Sequence, residues 1–240
     1  MPEREFTRDR FLGGLVAADQ PKSGFRAGHD TVLLAAAVPA IPGERVLELG
    51  SGVGIASLCL AARVPGISIL GVEIDEDLVS AANANAALNQ VADRVRFEAG
   101  DVGALDLGRT FAHVFFNPPF HPETGRGSPD AARERAKRGG DDLIARWTRV
   151  ALAQASATVT AILRADRVEE MLAQARGRLA YVLPLLPRAG EAPKRAIVRI
   201  ETAKSGEHRV LEGFVLHEAD GRNTESAEAV LRHGAALTLA

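Results

Sequence analysis

Short apolar runs alternate with helix-length stretches from residue 44 to residue 176, and no other feature constrains the fold of this chain as tightly. The runs at 44–49, 68–73, 95–99, 112–116 and 157–163 read as strands, rich in Val, Ile, Leu and Phe. The stretches at 55–64, 77–88, 142–155 and 167–176 read as helices. Asp77 is the expected N-cap of the second, and Asn85 and Asn89 suit its C-terminal turn. Strands joined through helices pair in parallel, with the helices covering the sheet. Three further strand-like runs, 179–186, 195–202 and 210–217, have no helix-length insert between them, so antiparallel pairing at one edge is expected. A short helix over 224–232 closes the chain. The expected class is α/β, with a mostly parallel seven-stranded sheet and antiparallel edge strands.

Two segments stand outside this alternation. One is the stretch up to Pro42. The other is the loop 121–141, long and rich in Gly, Pro and charge, a kind of loop that is usually functional or disordered. The division expected is an N-terminal extension, 1–42, serving as a lid over substrate and cofactor, and a main domain, 43–240. A chain of 240 residues with 46% hydrophobic and 25% charged content suits this arrangement.

The totals exclude several classes. One cysteine, Cys59, leaves no intrachain disulfide and no Cys-based zinc cluster. Six histidines without paired spacing predict no metal, and His113, inside an apolar run, reads as a satisfied core residue. Trp147 and Tyr181 read as packing residues. The charged start lacks a signal-peptide core, and no apolar run is long enough to span a membrane, so a cytoplasmic location is expected. A net charge of −2 is not the bulk signature of a nucleic-acid binder. Such a substrate would have to meet a local basic surface.

Two motifs carry chemistry. Glu48-Leu49-Gly50-Ser51-Gly52-Val53-Gly54 joins the first strand to its helix. The glycines allow a sharp turn and close ligand approach, and the helix N-terminus favours an anionic group. The spacing G-x-G-x-G differs from the dinucleotide G-x-G-x-x-G, which favours an amino-acid carboxylate with an adenosine over a diphosphate. Glu73 ends the second strand and suits the two ribose hydroxyls, with Ile74 beside it. Asp101, followed by Val102, comes after the third strand and suits an adenine amine. Glu48 suits a cationic ammonium through water, and Asp30 suits either the amino-acid end of the cofactor or a helix N-cap. The second motif is Asn117-Pro118-Pro119-Phe120, at the end of the fourth strand. A carboxamide oxygen beside a backbone carbonyl and an aromatic ring can grip a planar group bearing –NH2. The plainer reading of Asn117 is a turn residue before proline.

With both motifs in place, the chain resembles the class I S-adenosylmethionine methyltransferases, a Rossmann-like fold, and within them the amino-methylating group marked by [D/N/S]-P-P-[Y/F]. The segment Gln20-Pro21-Lys22-Ser23-Gly24-Phe25-Arg26-Ala27-Gly28-His29-Asp30-Thr31-Val32-Leu33-Leu34 is similar to the lead-in of the bacterial tRNA1(Val) adenine-N6 methyltransferases. So is Ser128-Pro129 with Ala131, Arg133 and Ala136-Lys137. The resemblance implies methylation of an anticodon-loop adenine of tRNA, with S-adenosylmethionine as cofactor. Glu48, Gly50, Gly52, Gly54, Glu73, Ile74, Asp101, Val102, Asn117 and Asp30 would bind cofactor. Asn117 and Pro118 would hold the target amine, and Phe120 would stack on the flipped base. Arg126, Arg133, Arg135, Lys137 and Arg138, with Arg26, are the candidate RNA contacts, and Lys22 and His29 a weaker addition.

Phe120 stands where the family often has Tyr, and His121 gives NPPFH, also found in guanine-N2 rRNA methyltransferases. That enzyme class is therefore one alternative. A protein glutamine-N5 methyltransferase is another, since a glutamine amide is also planar; that family usually has a helical domain before the cofactor loop, and only 47 residues precede Glu48. Small-molecule N-methylation, DNA methylation and a catalytically inert scaffold are weaker readings.

Overall fold

The structure, a computed structural model, describes residues 5–23, 26–108, 110–119 and 143–239. The chain opens with strands β1 (Phe6–Phe11) and β2 (Val16–Pro21), an antiparallel hairpin, and helix α1 (His29–Ala37). The alternating part follows as β3 (Arg45–Leu49), α2 (Ile55–Arg63), β4 (Ser68–Glu73), α3 (Glu76–Leu88), β5 (Val95–Ala99) and β6 (Phe111–Phe116). Then come α4 (Leu143–Gln154), β7 (Ala155–Arg164), α5 (Val168–Leu172), β8 (Arg178–Leu186) and β9 (Arg195–Ser205). The short strands β10 (His208–Val210) and β11 (Phe214–Val215) and helix α6 (Glu225–His233) complete it.

The main sheet runs β10-β8-β9-β7-β6-β3-β4-β5, with β11 also paired to β8. Strands β5, β4, β3, β6 and β7 are parallel, and β9 runs antiparallel between β7 and β8. The expected antiparallel edge is present in β7, β9 and β8. The expected run at 210–217 differs: it is split between β10 and β11, both parallel to β8, which brings the sheet to nine strands instead of seven. The helix expected over 167–176 is shorter. It ends after Leu172 in turns, and Arg176 and Gly177 both take positive φ (50° and 80°). Asp77 is not the N-cap of α3. Asp75 is, its side chain accepting from the Asp77 and Leu78 amides.

Each sheet face carries its own apolar cluster. One packs α1, α2, α3 and α6 with Leu33, Leu34, Leu58, Leu60 and Phe115; the other packs α4 and α5 with Leu47, Leu49, Phe116 and Leu163. Helix α1 thus shares the core of the main sheet: Leu33 and Leu34 are fully buried in it. The hairpin escapes sequence reading because β1 is Phe-Thr-Arg-Asp-Arg-Phe, with four polar residues between its two rings.

Strand order places the site. The chain builds outward through β3, β4 and β5, then returns to β6 on the other side of β3. The sheet therefore has its switch point between β3 and β6, and the crevice beyond their carboxyl ends is where open α/β sheets bind ligands.

Candidate active site

The register brings the two motifs together. Leu49 of β3 pairs with Phe116 of β6, so Gly50 and Asn117 leave the sheet side by side, one strand spacing (about 5 Å) apart. No local pattern joins them, since 66 residues separate them along the chain.

The glycine turn is held from below. The Gly50 and Ser51 amides both donate to the Val72 carbonyl on β4 (2.8 and 3.1 Å). All three glycines have positive φ: 67°, 54° and 83°. Their surroundings differ. A Cβ on Gly50 would lie 2.5 Å from the Trp147 ring, and one on Gly54 would lie 2.4 Å from Phe97. At Gly52 a Cβ would meet nothing within 4 Å. Two glycines are therefore backed by aromatic rings, while the middle one opens onto free space.

Glu73 contributes to that turn before any ligand does. Its Oε2 accepts from the Gly52 amide (2.8 Å), and its Oε1 from the Ile74 and Asp75 amides (2.9 and 3.2 Å). An ionised carboxylate has about four acceptor sites, so capacity remains for a hydroxyl. Ile74 is 70% exposed beside it. Asp101 caps the turn that begins at buried Val102, accepting from the Gly103 amide at 2.7 Å, and its other oxygen lies 3.7 Å from the Arg146 guanidinium on α4.

Glu48 is buried beneath the turn. Its Oε2 accepts from the Ser57 hydroxyl and, at 3.2 Å, from the Ser57 amide. Burial pushes its carboxyl up to about 8, and the nearby charge of Glu73 adds to the rise.

Asn117 is half-buried and Pro118 buried. The Asn117 side-chain oxygen is shielded from solvent, and neither it nor the buried Ser51 hydroxyl has a hydrogen-bond partner among the described residues. Unsatisfied buried acceptors are rare and costly in folded proteins. Two of them on adjacent loops at the switch point mark a place shaped for a ligand.

The other expected residues are placed less centrally. Asp30 lies in the first turn of α1, where Gly28 is the N-cap, so it is not the cap; it pairs with Arg195 at the start of β9 (3.0 Å). Arg26 donates to the Thr7 hydroxyl and the Pro21 carbonyl and pairs with Asp9, while Lys22 pairs with Glu5. His29 lies 6.2 Å, ring to ring, from His217. Phe120, His121, Arg126, Arg133, Arg135, Lys137 and Arg138 lie outside the described residues. His113 is the satisfied core residue expected: Nδ1 meets the Thr158 hydroxyl (2.8 Å) and Nε2 the Glu44 carboxylate (3.0 Å). Trp147 does pack, as expected, but against Gly50 and edge-on to Phe116 (5.9 Å, 74°), so it walls the site. Sequence reasoning missed this role and that of Phe97, because neither residue is near a motif.

A family model described as methyltransferase small domain matches residues 25–141. The chain is 34% identical over 129 residues to a tRNA1(Val) (adenine(37)-N6)-methyltransferase of Porphyromonas gingivalis, covering 50% of each. It is 28% identical over 210 residues to a protein of the same name from Aeromonas hydrophila, covering 85% of this chain and 87% of that one. The chain spans about half the length of the Porphyromonas gingivalis relative. Among solved structures, a predicted O-methyltransferase, protein Atu636 from Agrobacterium tumefaciens, superposes with a TM-score of 0.71 at 21% identity, over 87% of this chain and 98% of that one. TrmN from Thermus thermophilus superposes with a TM-score of 0.51 at 21% identity, over 72% and 48%. These likenesses show the Rossmann-like methyltransferase fold. The part of the chain that resembles the methyltransferase small domain, residues 25–141, is the part that carries both the glycine turn and the Asn-Pro-Pro motif.

Proposed function

We propose that this chain is an S-adenosylmethionine-dependent N-methyltransferase whose substrate is the exocyclic N6 amine of an adenine in tRNA. The observation that carries the reading is the shielded Asn117 oxygen, without a partner among the described residues and one strand away from a glycine turn that is open at Gly52. The names of the relatives from Porphyromonas gingivalis and Aeromonas hydrophila support tRNA adenine as the target.

The residues present fit the cofactor. Gly52 leaves the space, Glu73 and Asp101 supply carboxylates at adjoining strand ends, and the buried Ser51 hydroxyl awaits a partner. When bound, S-adenosylmethionine supplies an electrophilic methyl group on a sulfonium sulfur. The chain's own work is positioning. An adenine amine is a poor nucleophile because its lone pair is delocalised into the ring. Asn117 Oδ1 and the Pro118 carbonyl each accept one N–H, which localises electron density on nitrogen and aims it toward the glycine turn. Trp147 and Phe116 keep water from the floor of the crevice. Phe120 stacks on the flipped base, and Arg126, Arg133, Arg135, Lys137 and Arg138 meet phosphates. Residues 1–42 act as the cover of the site.

Labelled methyl from S-adenosylmethionine, offered to total tRNA, total rRNA and protein extract, tests the reading. Label recovered as N6-methyladenosine from tRNA is the expected result. Label in N2-methylguanosine or in a protein band would overturn the substrate assignment.

A further inference from the structure

Asn85 in α3 and Asn89, the C-cap of that helix, lie one helical turn apart and treat strand β2 as a sheet would. Asn85 Oδ1 accepts from the Asp19 amide (2.8 Å), and its Nδ2 donates to the Asp19 carbonyl (3.1 Å). Asn89 Oδ1 accepts from the Ala17 amide (3.0 Å), and its Nδ2 donates to the Ala17 carbonyl (2.7 Å). Four helical residues rise about 6.0 Å, and two strand residues about 6.6 Å. The two carboxamides therefore match the repeat of a strand edge and seal the side of β2 that faces away from β1.

Asn85 does one thing more. It is buried, at 1% exposure, and its Nδ2 also donates to the Val53 carbonyl (3.1 Å). Val53 lies between Gly52 and Gly54, inside the glycine turn. One rigid side chain thus fixes the hairpin and the turn together, with no spare hydrogen on its nitrogen. Asn89 touches the hairpin and the Asn85 carbonyl, and makes no bond to the turn.

We infer that Asn85 is a positioning residue that couples the seating of the N-terminal hairpin to the cofactor turn. Moving the Val53 carbonyl changes the bond that holds Asp19, so cofactor binding tightens the hairpin and an unseated hairpin weakens cofactor binding. Linkage requires the effect to run equally in both directions. The inference rests on the cofactor reading proposed above, and the experiment separates the two.

Hydrogen exchange of the whole protein, with and without S-adenosylhomocysteine, reads both segments at once. In the wild type the ligand is expected to slow exchange in residues 50–54 and also in residues 5–21. In Asn89→Ala the free hairpin exchanges faster, and the ligand still slows it. In Asn85→Ala the ligand slows 50–54 alone, and its dissociation constant rises about tenfold, the scale of one net hydrogen bond. Asn89→Ala should leave that constant within about twofold, whereas two merely structural asparagines would shift it alike. Protection of 50–54 in the wild type without any change in 5–21 would overturn the coupling and leave the cofactor reading intact. No protection at 50–54 would overturn both.

Discussion

Two polar side chains, one within strand β6 and one just past it, are treated in opposite ways. Within the strand, His113 is buried with both ring nitrogens engaged, by Thr158 and Glu44. Just past its end, the Asn117 oxygen is equally shielded and has no partner among the described residues. Burying a polar atom costs free energy unless it is paired. The first meets that cost within the fold and is structural. The second leaves that cost unmet among the described residues, as the proposed substrate-binding role requires. The same contrast holds for two carboxamides: Asn85 uses its oxygen and both N–H groups on backbone, and the Asn117 oxygen has no partner among the described residues.

Substitutions at the two positions test the contrast most directly. Asn117→Ala should lower turnover by about 10²–10³-fold, the scale of losing one positioned polar group in an active site. It should leave the urea midpoint near wild type, because the Asn117 oxygen has no partner among the described residues. Near-normal turnover would remove Asn117 from the mechanism. His113→Phe should do the reverse, costing about 1–3 kcal/mol of stability by orphaning the buried Thr158 hydroxyl while turnover holds.

The glycine turn sharpens the point. Gly50→Ala places a methyl against Trp147 on a left-handed backbone, so about 2–5 kcal/mol of stability should be lost together with ligand binding. Gly52→Ala has the same backbone strain but free space around it, so roughly 1–2 kcal/mol is expected. Its methyl should nevertheless abolish S-adenosylhomocysteine binding by calorimetry. Normal binding to Gly52→Ala would show that the open space is not the cofactor's.

The last test concerns pH. Burial holds the Glu48 carboxyl up to about 8 against an ordinary 4.5, so the folded protein keeps a proton that the unfolded chain releases. This group's contribution to stability therefore falls as pH rises from about 4.5 to about 8 and is level outside that window. Glu48→Gln should flatten that part of the urea-midpoint profile. An unchanged slope would place the proton elsewhere.

Much of this was legible along the chain. From β3 to β6, short apolar strands alternate with helices of the right length and the two motifs sit at strand ends, so the elements and their alternation followed from local pattern. The hairpin was not legible. β1 buries little, and β2 is held by Asn85 and Asn89, whose spacing suits a helix end as well as a clamp. The cap of α3 moved from Asp77 to Asp75 because both lie within one turn of the start, and only backbone geometry selects between them.

The sequence by itself determined the alternation, the glycine turn, Glu73, Asp101 and the Asn-Pro-Pro motif, because each is a short-range pattern with a local physical cause. Only the tertiary structure decided that Gly50 and Asn117 are neighbours, that Trp147 walls the turn, and that Asn85 ties it to the hairpin. Those relations join residues 32 to 97 positions apart, and such contacts are set by strand order and close packing, which no local pattern encodes.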